Sequence, residues 1–356
     1  RRKRLPRLDL PQHVPRQGAD ATYDGCGYER GVSAMRASEL LRSGWRELLA
    51  LALVVARLIS PLAPAAGAGG AALRARFDAL AAQARSRAPA STSLNPFGLP
   101  LYLQSTETAD RIDGDVYARI DHPFGQLRDA LATSEHWCEI LILHPNVKYC
   151  RAAPSLAGDA VFVGLGRKTW QDLGDTFFVR FVFRDAGSTP EHLRIELRAP
   201  TGPMSTRDYR LAIEATALDR GASVLHLSYG YSFGMMGKLA MQTYLSTLGR
   251  DKVGFSLAGR GADGQPIYVG GVRGVIERNA MRYFLAVGAH LAVGAQEGKR
   301  PMHAGLRVWF EATERYPLQL HELDRADSLE RLVRALWHPH NRRALEQALG
   351  REWARC

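Results

Sequence analysis

Beyond residue 68 the chain has no apolar stretch approaching the roughly 20 residues that a membrane-spanning helix needs, so the body of the protein is not read as membrane-embedded. Catalytic motifs are also missing. There is no G-x-S-x-G, no H-E-x-x-H, no Walker loop and no dinucleotide fingerprint. His122, His136, His144 and His226 are dispersed and fit no pattern of nucleophile, base and orienting group. No catalytic residue, metal ligand or cofactor is therefore assigned, although an enzyme working with one or two polar groups in a shaped cavity stays open. Helix-turn-helix, zinc-finger and ribonucleoprotein signatures are absent, and nucleic acid is not expected as a partner.

Cysteine is scarce, at 4 in 356 residues. Cys138 and Cys150 fall in the folded part, 12 positions apart, whereas Cys26 and Cys356 have no obvious partner. His136 and His144 lie near the pair, but the spacing matches no common zinc pattern. In an oxidising compartment Cys138 and Cys150 are read as a disulfide.

That compartment is suggested by the N-terminal segment. Arg36, Arg42 and Arg46 form a basic region, Leu48 to Ala56 a short apolar one, and Ala66-Gly67-Ala68 an A-x-A cleavage site. Residues 35–68 are read as a signal peptide behind Met35, and residues 1–34 as a doubtful leader or disordered tail. The alternative is an uncleaved anchor lengthened through Leu62, at the cost of placing Arg57 in the bilayer. The expected location is periplasmic or secreted.

Acidic residues are fewer than basic ones, 36 against 47, for a formal net charge of +11. Residues 1–68 hold 11 Lys and Arg and 6 Asp and Glu, leaving 36 basic against 30 acidic residues, a net +6, for the rest. A mildly basic surface suits an anionic membrane face or an acidic partner, and an Arg-rich composition from a GC-rich genome accounts for it equally.

Residues 69–95 read as a short helix, with Leu73, Phe77, Leu80 and Ala81 at helical spacing, followed by a linker. The globular body, residues 96–295, opens with strands at 101–106 and 111–120; Ile112, Val116, Ala118 and Ile120 alternate with polar residues in the second. Pro123 suits the start of a helix, with Asp121 as its cap, and a second short helix spans 134–143. Six strands follow, at 147–153, 161–170, 176–184, 193–199, 207–218 and 223–233, separated by Gly- and Asp-rich turns. The period then becomes helical at 235–248 and 270–293, and residues 296–356 read as a peripheral helical extension.

An antiparallel sheet followed by a long helix is an α+β order in which the helix must cover one sheet face. Gly114-Asp115-Val116-Tyr117-Ala118-Arg119-Ile120-Asp121-His122-Pro123-Phe124 resembles the opening strand, proline turn and helix of the START-like (SRPBCC, polyketide cyclase and lipid-transfer) helix-grip superfamily. Ser134-Glu135-His136-Trp137 is similar to that family's second helix, and Gly274 to Phe284 occupies the place of its long helix. The helix at 235–248 and the segment 253–269 are departures from the simple order.

The resemblance implies a cavity between sheet and helix for a hydrophobic, lipid-like small molecule. Its expected lining is Phe178, Phe181, Ile195, Leu227, Ile276, Ala280, Phe284 and Val287, with Tyr229 and Tyr231 offering hydroxyls on one strand face. Ordinary core packing accounts for the same apolar residues. Arg278 and Arg282, one turn apart beside Glu277 and Asn279, are either a grip for an anionic head group or a solvated helix face. Three functions follow: a non-catalytic carrier, an enzyme of the cyclase or aromatase type, or an envelope interaction protein with a filled core. The last would work through Trp309, Tyr316, Trp337 and Trp353 on Arg-rich C-terminal helices.

Overall fold

A computed structural model describes residues 68–87, 100–153, 158–169, 171–247, 249–294, 302–322 and 324, all within one compact unit, residues 63–356. The leader, the signal segment up to residue 67, the linker and most of the C-terminal extension, including Trp337 and Trp353, lie outside these residues.

Helix α1 (Ala68–Arg87) precedes β1 (Leu101–Glu107) and β2 (Arg111–Ile120). Short helices α2 (Phe124–Leu131) and α3 (Ser134–Leu141) then lead into β3 (Val147–Ala153), β4 (Ala160–Leu165), β5 (Phe177–Asp185), β6 (His192–Thr201), β7 (Thr206–Ala217) and β8 (Ser223–Phe233). After β8 come α4 (Met235–Ser246), the hairpin β9 (Leu257–Arg260) and β10 (Pro266–Tyr268), the long helix α5 (Gly271–Val293), α6 (Met302–Thr313) and α7 (Pro317–Leu320).

The first eight strands form one sheet in the order β1-β2-β8-β7-β6-β5-β4-β3, antiparallel throughout. Strand alternation decides which side chains face α5. On β2, Ile112, Gly114, Val116, Ala118 and Ile120 are buried, while the intervening Asp113, Asp115 and Tyr117 point to the opposite face. Gly114 marks the closest approach of sheet to helix. A Cβ there would stand 3.2 Å from Ile276 Cγ1 and 3.3 Å from Ala280 Cβ, so any larger residue would push α5 or its side chains back by a few tenths of an ångström.

The outer face of the sheet is polar. Glu196 accepts from Arg198 at 2.8 Å and from Arg210 at 2.8 Å across the strands. Burial alone would raise this carboxyl, but those guanidinium hydrogen bonds outweigh it and pull the pKa to about 2. Part of this face is covered by α1, whose Leu73 and Phe77 pack with Val224, Tyr102 and Tyr117.

Two local details differ from the sequence expectation. Asp121 does not cap α2; it pairs with Arg119 at 2.9 Å, and Pro123 itself is the N-cap. The C-terminal helix α6 is not simply peripheral, because its Leu306 and Trp309 join the main core. Cys138 and Cys150 form the expected disulfide, joining α3 to β3 with Cα atoms 5.2 Å apart.

Candidate functional site

Helix α5 lies over β1, β2 and β8. Toward β5–β7 the interval between sheet and helix is bridged by aromatic side chains. Phe181, Phe183, Tyr209, Tyr229, Tyr231 and Phe233 reach in from the strands, and Tyr283 and Phe284 from the helix. Tyr209 and Tyr231 stack with centroids 5.1 Å apart, Tyr229 meets Tyr283 at 5.0 Å, and Phe181 meets Tyr209 edge-on at 6.3 Å.

These eight aromatic residues keep 5–9% of their surface exposed, whereas Ile112, Val116, Leu227, Ile276, Ala280 and Val287 have none. The interior is fully shielded where α5 meets β2 and slightly accessible at the aromatic rings. The hydroxyls of Tyr229, Tyr231 and Tyr283 have no hydrogen-bond partner among the described residues, yet none is a fully enclosed polar atom. Tyr209 differs, since its hydroxyl lies 2.7 Å from Thr206 Oγ1.

Burial dominates the acid–base behaviour of this cluster. It pushes Tyr229 well above the usual phenol range, helped by Tyr283, Tyr209 and Tyr231. Tyr231 and Tyr283 also rise through burial and neighbouring phenols. Burial raises Tyr209 too, against the lowering effect of the Thr206 hydrogen bond. All four remain protonated donors at neutral pH. At the cluster's edge the His144 ring stacks on Tyr283 at 4.8 Å. Its Nδ1 accepts from the Asn146 N–H at 3.2 Å, which leaves the proton of the neutral imidazole on Nε2.

A bulge brings Thr206 to Tyr209. Strand β7 carries a bulge between Arg207 and Arg210, where Asp208 has φ 52°. The extra residue places both Thr206 and Tyr209 on the helix-facing side and brings their hydroxyls together.

Of the expected lining residues, Phe181, Tyr229 and Tyr231 make ring contacts in this cluster, and Phe284 is buried in the same core. Ile195, Leu227, Ile276, Ala280 and Val287 face the same interior but are closed off by packing. Phe178 is a correction. It packs with Tyr149, Ala160 and Phe162 in a separate cluster on the other sheet face, because it stands an odd number of positions from Phe181 on the same strand. Tyr209, Tyr283, Phe183 and Phe233 were not expected as lining. Tyr283 was visible in the helical repeat, and Tyr209 in its alternation with Leu211 and Ile213.

The polar cluster on α5 is buried rather than solvated. Glu277 accepts from Ser105 Oγ at 2.6 Å and from the backbone N–H groups of Phe255 and Ser256 at 2.7 and 2.9 Å. Arg278 donates to the Val253 carbonyl at 3.1 Å. Arg282 donates to Glu322 at 2.6 Å and to Asn279 at 3.3 Å. Burial would raise the Glu322 carboxyl, but Arg282, Lys168 and Lys252 outweigh it and hold it low. Lys168, 2.5 Å from Glu322, is lowered to about 8 by burial and by Arg282. Arg278 and Arg282 thus tie the chain around 253 and 322 to the helix, on a different side from the tyrosines. Trp309 and Tyr316 are packed inward as well: Trp309 donates to the Arg282 carbonyl at 3.3 Å, and Tyr316 meets Phe255 edge-on at 5.5 Å.

Among the described residues no group of three or more His, Cys, Asp or Glu side chains is placed to hold a metal, and no helix is long and apolar enough to cross a membrane.

No family model matches the chain, and no curated protein matches its sequence. Among solved structures it is similar to a conserved protein from Geobacillus kaustophilus, at 10% identity over 51% of this chain and 95% of that one, with a TM-score of 0.31. A norcoclaurine synthase from Thalictrum flavum aligns at 8% identity over 40% of this chain and 90% of its own, with a TM-score of 0.28. An aromatase/cyclase from Streptomyces aligns at 13% identity over 60% and 96%, with a TM-score of 0.25. Similarity at these scores carries no functional argument. The α+β architecture, an eight-stranded antiparallel sheet with helices, stands on the chain's own geometry.

Proposed function

We propose that the protein binds or transfers a hydrophobic, lipid-like molecule between the sheet and α5, without chemistry of its own, in the periplasm or outside the cell. The observation that carries this reading is the convergence of Tyr229, Tyr231 and Tyr283, each more than nine-tenths buried, with hydroxyls unpartnered among the described residues. Three donors without a protein partner beside aromatic rings suit a site completed by a bound molecule, with apolar walls and a few polar groups for orientation. The Cys138–Cys150 disulfide and the signal-like segment support an oxidising location.

The test is titration of the full chain with the neutral fluorophore N-phenylnaphthylamine. The reading expects saturable binding with blue-shifted emission, weakened when Tyr231 is replaced by Asp. Absence of saturable binding would overturn it.

A specific observation favours an enzyme of the cyclase or aromatase type as the second reading. Phenols kept protonated by burial can donate to a substrate carbonyl, and His144 against Tyr283 offers a group for proton transfer. His144→Phe separates the two readings: it should leave fluorophore binding unchanged for a carrier, and should abolish turnover of an aromatic polyketone for an enzyme.

A further inference from the structure

The two elements that depart from a simple strand-to-helix order, α4 and the β9–β10 hairpin, lie at one end of the sheet. Helix α4 follows the end of β8 and touches the β6–β7 turn; a Cβ on Gly237 would stand 3.1 Å from Phe233 Cβ and 3.3 Å from the Met204 carbonyl. The hairpin hangs from the start of α5, with Gly254 N–H donating to the Val269 carbonyl at 2.7 Å and Glu277 bound to the N–H groups of Phe255 and Ser256. Glu277 also meets Ser105, which pairs with Gly114 near the start of β2, and the start of β2 pairs with the end of β8. Both elements therefore sit where β8 ends and α5 begins.

This end concentrates the exposed apolar side chains. Seven large hydrophobic residues are exposed among the described residues, and five of them, Met204, Met235, Leu239, Leu257 and Ile267, are here, at 50–88% exposure. In the β6–β7 turn, Met204 and Ser205 have φ 53° and 60°, a left-handed backbone that costs residues other than glycine about 1 kcal/mol or more each. The same turn borders the site, since Thr206 contacts the Tyr209 hydroxyl.

Charge within residues 235–273 is unbalanced. Residues 235–273 carry Lys238, Arg250, Lys252, Arg260 and Arg273 against Asp251 and Asp263 as exposed acids. Lys252 lies 3.7 Å from Glu322, and Arg273 donates to Ser105. Arg250 and Arg260 reach only backbone carbonyls, of Ser246 and Gly264. Lys238, Arg250 and Arg260 have no carboxylate partner among the described residues. Nearby, Arg207 is matched by Asp110 and Asp208, and Glu107 adds an exposed acid at the end of β1.

We propose that this end of the molecule docks on an anionic lipid surface. Met204, Met235, Leu239, Leu257 and Ile267 enter the headgroup layer, and Lys238, Arg250 and Arg260 face its phosphates. Isolated apolar side chains among unpaired cations match such a surface, where each Lys or Arg contributes about 1 kcal/mol and shallow apolar insertion adds to it. Docking brings the β6–β7 turn, and with it the edge of the tyrosine cluster, against the lipid. The inference is independent of ligand binding, and either can fail alone.

Sedimentation of the full chain with vesicles tests it, using phosphatidylcholine alone and phosphatidylcholine mixed with phosphatidylglycerol. The expected result is binding to the mixed vesicles only, weakened by salt. Met235→Asp with Leu239→Asp should lower affinity by about tenfold or more. Reversing Lys238, Arg250 and Arg260 to Glu should lower it at least about fivefold per position. All five positions are exposed, so unfolding midpoints and fluorophore titrations should not change. Failure of the wild type to bind would overturn the proposal. So would equal binding by the variants, which would place the contact elsewhere, for instance in residues 35–67. A dimer dispersed by the Asp pair with vesicle binding intact would assign the face to a second copy of the chain and would also overturn it.

Discussion

Replacing the four tyrosines of the cluster one at a time by Phe separates hydroxyls that hold the fold from hydroxyls that await a ligand. Tyr209 makes a 2.7 Å hydrogen bond to Thr206, so Tyr209→Phe should lose about 0.5–1.5 kcal/mol. For a domain of this size that lowers the unfolding midpoint by about 2–4 °C. Tyr229, Tyr231 and Tyr283 make no hydrogen bond among the described residues. Their Phe variants give up no intramolecular bond and lose a buried polar group, so stability should stay level or rise by up to about 1 kcal/mol. Ligand binding should move in the opposite direction. A carbonyl-bearing probe should bind the Tyr229→Phe, Tyr231→Phe and Tyr283→Phe proteins about fivefold more weakly for each donor lost, whereas a pure hydrocarbon should bind them equally well. Denaturant melts and fluorescence titrations on the same preparations measure both. If all four variants lose similar stability and none affects the carbonyl probe, the hydroxyls are structural and the reasoning fails.

Three further outcomes follow from the packing and charge of the fold. Gly114→Val should destabilise by about 2–3 kcal/mol, because its Cβ would press on Ile276 and Ala280; Gly125→Ala, with nothing within 4 Å of the added Cβ, should instead stabilise by about 0.5–1 kcal/mol. Glu196, with its pKa near 2 in the fold against an ordinary 4.5, contributes stability that is present above pH 4.5 and lost as pH falls toward 2. After discounting for the half-exposed Arg198, Glu196→Gln should cost about 1–2 kcal/mol at neutral pH, and its melting curve should converge on the wild type's near pH 2. Joint replacement of Cys138 and Cys150 by Ser should cost about 2–3 kcal/mol by chain entropy, and a reductant should shift the wild-type melt to the same position.

Much of the architecture was legible in the sequence because each segment repeats its own period. The alternation of Arg111 to Ile120 and the helical recurrence through Ile276, Ala280, Tyr283 and Phe284 marked both halves of the interior before any contact was known. The site was less legible. Phe178 and Phe181 are both aromatic and both on β5, and only strict attention to parity assigns them to opposite faces. Tyr209 follows the alternation of Leu211 and Ile213, but its partner Thr206 reaches the same face only through the bulge at Asp208, which nothing in the local pattern requires. Arg278 and Arg282 look like a solvated stripe because their covers, the chain at 253 and at 322, lie 25 and 40 positions away. Long-range coverage of this kind leaves no trace in local periodicity.

The most direct measurement is a crystal structure of the full chain saturated with N-phenylnaphthylamine. The account predicts density for the fluorophore between sheet and α5, in contact with Tyr229, Tyr231, Tyr283 and Phe284. Closed aromatic packing at that position, or the fluorophore bound only elsewhere, would contradict it.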